Sequence, residues 1–143
     1  IELPVKLKVH DSIFVPLAKW SMLLAGNYRC VQKEAMRPIK EAVHSDIAAT
    51  RSVYEWVAKL CMSLGADAKD LVPFEKYANA ALSLASPSSA ARALAAGAPN
   101  IERVDRLVQL IGAQKGVRNE VVDQTVVLVD GWVATNRAKT KAA

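Results

Sequence analysis

Between residues 38 and 64 the side chains Ile39, Val43, Ile47, Thr50, Tyr54, Val57, Cys61 and Leu64 recur at intervals of three and four, while Lys40, Glu41, Arg51, Glu55 and Lys59 fall elsewhere. On a helix that spacing gathers them into one stripe. The pattern predicts one helix over 38–64, opened by Pro38 and ended by Gly65, a residue that readily takes the left-handed conformation of a helix end. At 1.5 Å per residue the rod would be about 40 Å long. In a chain of 143 residues it must cross the whole domain, with neighbours packed along it.

The remaining segments supply those neighbours. Leu17, Trp20, Leu23, Leu24 and Asn27 fall on one stripe of a helix between residues 14 and 30, with Pro16 in its first turn. A helix over 73–85 would bury Phe74, Tyr77, Ala81 and Leu84, and the Pro87-Ser88-Ser89 junction breaks it. A short alanine-rich helix follows to Ala96, then a turn over 97–100. Asn100 suits the N-cap of a helix burying Ile101, Val104, Leu107, Val108 and Ile111, which Gly116 closes. The last helix, over 119–136, would face Val122, Thr125, Val126, Val129, Trp132 and Val133 inward. About six helices make an all-α domain over 14–136. Val5, Leu7 and Val9 alternate with polar residues in the stretch 1–13, which reads as a half-exposed strand: an edge, a linker or the end of a preceding domain. Residues 137–143 read as a basic, solvated tail. The chain opens on Ile1 rather than Met, which suits a processed product or a piece of a longer chain.

Composition narrows the function. The chain is 52% hydrophobic and long enough for one core. Three of its five net positive charges are Arg137, Lys139 and Lys141 of the tail, and aromatics are only 6% and not interleaved with basic residues. No nucleic-acid surface is therefore expected. No apolar run reaches the ~18–20 residues of a membrane span, and nothing at the N-terminus reads as a signal peptide. Cys30 and Cys61 are far apart and form neither a disulfide framework nor a zinc motif, so a reducing, cytoplasmic setting is expected. There is no GxGxxG, phosphate loop or HExxH, and His10 and His44 stand alone.

The stretch 87–102, PSSAARALAAGAPNIE, carries the chemistry. Ser88 and Ser89 at a helix start can hold a ligand carboxylate, while Glu102 can receive a hydroxyl of the same small molecule. The same residues also suit a structural role, with a serine capping the alanine-rich helix and Glu102 at the positive end of the next.

Lys19 and Trp20 with Asn27 beyond them, the Leu64-Gly65 helix end, the Ser88-Ser89 pair and the run Ile101-Glu102-Arg103-Val104-Asp105 before a glycine-bounded helix resemble, in order and spacing, the C-terminal domain of the ketopantoate reductase family over about 14–136. The resemblance implies the 6-phosphogluconate dehydrogenase C-terminal-like fold and a preceding Rossmann domain that binds NADPH, the helical domain closing over a small 2-oxo acid. It implies that Glu102 binds the substrate hydroxyl, that Ser89, with Ser88 beside it, holds the carboxylate, and that Asn27 lines the pocket. A lysine on the first helix gives the ketone oxygen its proton; Lys19 is the nearest candidate, whereas the family's usual spacing from the tryptophan puts Met22 there. Ser89 and Glu102 also stand about one residue further apart than in the family pattern. Alone, the chain would be inactive; apart from the resemblance, its apolar helical faces suit a homodimer. A different class of reading is a stand-alone interaction or dimerisation module, for which Trp20, Trp56, Trp132 and the valine-rich last helix supply apolar surface.

Overall fold

In the computed structural model, which describes residues 2–142, the apolar stripe of 38–64 is carried by two helices rather than one. These are α2, Ile39–His44, and α3, Ile47–Ser63. Asp46 makes the break. It leaves the helical conformation (φ −146°, ψ 87°), and its side chain accepts the Ala49 N–H at 3.0 Å. Thr50 covers the gap, its hydroxyl 2.8 Å from the Val43 carbonyl that loses its helical partner. The rod is thus about 25 Å long, and of the predicted stripe Ile47, now the first residue of α3, and Leu64, just past its end, lie 42% and 36% exposed. Gly65 ends α3 with φ +120°, and a Cβ there would also come within 2.7 Å of the Phe14 ring.

Around α3 the other elements follow in order: α1, Ala18–Met22, running into a π turn, Leu23–Asn27, and a 3-10 turn, Tyr28–Cys30; then, beyond α3, α4, Phe74–Ala81; α5, Ser89–Ala95; α6, Val104–Gln114; and α7, Glu120–Ala142. The described residues are all-α, with seven helices, no strand and one isolated bridge between Val31 and Met36. α1 and the π turn lie along α3, α2 packs on the π turn and α4, and α7 closes the bundle against α5, α6 and the 3-10 turn. Leu24, Val43, Val53, Val57, Leu94, Val108, Val122 and Val129 meet in one core. Tyr54 stacks on Tyr77 and meets Phe74 edge-on at its centre.

Several expectations are corrected. The stretch predicted as a strand is irregular, and Val5, Leu7 and Val9 are 78–90% exposed, because no described segment offers the sheet edge that a lone strand needs. α4 stops at Ala81 rather than 85, leaving Leu84 exposed. There the chain turns so that the carbonyls of Leu84 and Ser86 take the Lys40 and Ile39 N–H groups that begin α2. Asn100 does not cap a helix, since its side-chain oxygen is held by Arg137 at 2.8 Å. α6 therefore begins at Val104, with Ile101 and Glu102 on the irregular approach. Its buried face is Asp105, Val108 and Gly112, flanked by Val104 and Ile111, and Leu107 turns outward. The basic tail is mostly the end of α7, where Arg137 also binds the Pro99 carbonyl and Asn136 donates to the carbonyls of Leu94 and Ala98. Ile1 and Ala143, the outer limits of the predicted arm and tail, lie outside the described residues.

Candidate functional site

Ser88 joins two elements. As the N-cap of α5 it accepts the Ala91 N–H at 3.2 Å, and it donates its proton to the Asn27 carbonyl at 2.7 Å. The hydroxyl is buried and occupied by these bonds, which pin the start of α5 to the end of the π turn. Ser89 follows as the first residue of α5 and is exposed. Asn27, at the end of the π turn, is half-buried. Such turns widen a helix by one residue and recur at functional sites.

Tyr28 completes the frame from the other side. Its hydroxyl donates to the Glu102 carbonyl at 2.5 Å and accepts the Val104 N–H at 3.0 Å, so it fixes both the backbone of Glu102 and the first turn of α6. Burial pushes its pKa above the ordinary tyrosine value, which keeps the donating proton in place. Arg103 points away and grips Asp105 through two hydrogen bonds of 3.0 and 2.9 Å and Asp130 at 2.8 Å. Asp105 is fully buried, so this pairing meets the need of a buried charge for a partner. Glu102 takes part in none of the ion pairs among the described residues and is exposed.

Between these elements lies a cleft of about 270 Å³ lined by Leu23, Asn27, Tyr28, Ser88, Ser89, Ala90, Ile101 and Glu102. Pockets for drug-sized ligands begin near ~300 Å³, so this one suits a small molecule. The structure brings Asn27, Ser88, Ser89 and Glu102 together at the cleft, and it leaves Lys19 and Met22 out of the lining. Lys19 is exposed on α1, and Met22 is held by its carbonyl, which accepts the Tyr77 hydroxyl at 3.1 Å. The residues lining the cleft thus carry a carboxylate (Glu102), an amide (Asn27) and a hydroxyl (Ser89), beside the apolar Leu23, Ala90 and Ile101.

Larger hollows lie elsewhere, about 520 Å³ beside Val127, Gly131 and Trp132, and about 510 Å³ beside Trp56 and Val117. The first is mainly apolar, and in the second Gln109 and Arg118 are engaged with Asp123. The smaller cleft is the one at which Asn27, Ser88, Ser89 and Glu102 meet. Among the described residues no group of His, Cys, Asp or Glu could hold a metal ion, and no helix is long and apolar enough to cross a membrane. Cys30 and Cys61 are free and buried, and burial raises both thiols, Cys61 to about 11. Tyr28, Arg103, Asp105 and Asp130 carry no sequence signal of this role, because their pairings depend on how α6 meets α7 and the 3-10 turn. No family model matches the chain, and searches of curated proteins and of solved structures gave no match either.

Proposed function

We propose that this chain is the helical substrate-binding domain of an NADPH-dependent 2-oxo acid reductase similar to ketopantoate reductase, with the 6-phosphogluconate dehydrogenase C-terminal-like fold. The supporting observation is the meeting of Asn27, Ser89 and Glu102, from three separate segments, at one small cleft. In this reading Glu102 accepts a hydrogen bond from the ligand hydroxyl, and Ser89 and the Asn27 amide donate to its carboxylate. Leu23, Ala90 and Ile101 cover its carbon body. Mutual repulsion turns the ligand carboxylate away from Glu102, so the polar groups also set which way round it lies. Ser88 serves by holding Asn27 and Ser89 in register.

The described residues do not fit NADPH: they include no strand and no glycine-rich turn opening a helix. The nucleotide and its hydride belong, in this reading, to a Rossmann domain preceding this one, with which the chain would act in the cytoplasm. Lys19, on the helix that leads into the π turn, is the candidate proton donor once that domain closes over the cleft.

The test is NADPH oxidation by the full natural protein with ketopantoate and other small 2-oxo acids. Glu102→Ala should lower kcat/KM about ten- to a hundred-fold, the loss of one charge-assisted hydrogen bond of ~1.5–3 kcal/mol, with helix content unchanged by circular dichroism. Loss of folding instead would make Glu102 structural. A second reading, a homodimerisation module, is favoured by one feature: Val127 is 69% exposed beside Trp132 on α7. It predicts no oxidation with any 2-oxo acid, and a dimer that Val127→Glu dissociates in analytical ultracentrifugation.

A further inference from the structure

We infer that Tyr28 is a positioning residue for Glu102, setting the width of the ligand cleft without using its own hydroxyl on the ligand. This deepens the reductase reading and rests on it for the effect on substrate. The hydroxyl has one proton, and the Glu102 carbonyl takes it at 2.5 Å; the Val104 N–H occupies a lone pair at 3.0 Å. Tyr28 adjoins Asn27 in sequence, so one side chain ties the Asn27 wall of the cleft to the Glu102 wall. α6 has no side-chain cap of its own at Arg103. The Tyr28 hydroxyl takes that place from across the fold. Without it, residues 101–103 would be held by the packing of Ile101 on the core and by the Arg103 pairings, and no hydrogen bond would fix the Glu102 carbonyl.

The test compares Tyr28→Phe with Tyr54→Phe in the full natural protein. Both substitutions keep a buried ring and delete one hydroxyl, which in Tyr54 donates to the Val72 carbonyl at 2.6 Å, away from the cleft. Urea titrations should show a larger loss for Tyr28→Phe, which breaks two hydrogen bonds, than for Tyr54→Phe, which breaks one. For Tyr28→Phe, KM for the 2-oxo acid should rise about ten-fold with kcat within two-fold, while Tyr54→Phe leaves KM unchanged. Equal KM effects from the two variants, or none from Tyr28→Phe, would overturn the inference. Amide exchange decides the positioning itself whether or not the protein is a reductase. The Val104 N–H should exchange at least ten-fold faster in Tyr28→Phe than in Tyr54→Phe, and equal exchange would overturn the claim. If the unsubstituted protein reduces no 2-oxo acid while Val104 exchange responds as expected, the reductase reading fails and the positioning of Glu102 stands.

Discussion

Gly26 shows how closely single atoms set the site. It lies in the π turn one residue before Asn27, and a Cβ at this position would fall on the Tyr77 hydroxyl, which donates to the Met22 carbonyl. The Tyr77 ring is buried and stacked on Tyr54, so it has little room to retreat. Gly26→Ala should therefore destabilise the chain by about 1–3 kcal/mol, the usual cost of an overpacked core, read as a lower urea midpoint; an unchanged midpoint would show that the turn can relax. Ser88, Ser89 and Glu102 stood out in sequence because hydroxyls and a carboxylate lie near glycine and proline, whereas Asn27 came only from the family resemblance. Tyr28 did not stand out, since an aromatic residue at that point reads as core. The double use of its hydroxyl depends on residues more than seventy positions away.

At the scale of elements, the helices could be read from the sequence but several of their ends could not. The three- and four-residue spacing of 38–64 continues across Ser45 and Asp46, so periodicity alone gives one rod. The break is decided by a local competition, in which the Asp46 carboxylate offers the Ala49 N–H a better-placed acceptor than an unbroken helix would. Asp46→Ala should cost about 1 kcal/mol, the ordinary value of an N-cap, and Asp46→Asn should recover most of it in the same urea titration. Equal losses for both would mean that the carboxylate's charge rather than its hydrogen bond matters. The early end of α4 and the late start of α6 have a different origin. In both, groups from another element take the backbone or side-chain partners that the sequence assigned locally: α2 takes the carbonyls of Leu84 and Ser86, and Arg137 takes Asn100. The strand expected near Val5 and Val9 failed because alternation specifies a face and cannot supply a neighbour.

For the whole molecule, the buried acids tie stability to alkaline pH. Burial raises Tyr54 to about 12 and Cys61 to about 11, and moves Tyr28, Tyr77 and Cys30 upward as well. An unfolded chain releases these protons near the ordinary values of 9.0 for cysteine and 10.0 for tyrosine. Above about pH 9 the folded state thus holds more protons than the unfolded one, and stability falls as pH rises. The contribution is complete below the unfolded values and is lost through the folded ones. Urea midpoints should be level from pH 7 to 8.5 and decline steadily by pH 10.5; a flat profile to pH 10.5 would contradict the burial of these groups.

In the proposed reading, residues from the π turn, α5 and the approach to α6 form one binding wall for a small hydroxylated 2-oxo acid. Titrating ketopantoate into this chain while following backbone and side-chain amides by ¹H–¹⁵N NMR tests it most directly. Weak, saturable shifts should be confined to Asn27, Ser89, Ala90, Ile101 and Glu102 and be lost in Glu102→Ala. Shifts scattered over the surface, or none at tens of millimolar ligand, would contradict that reading.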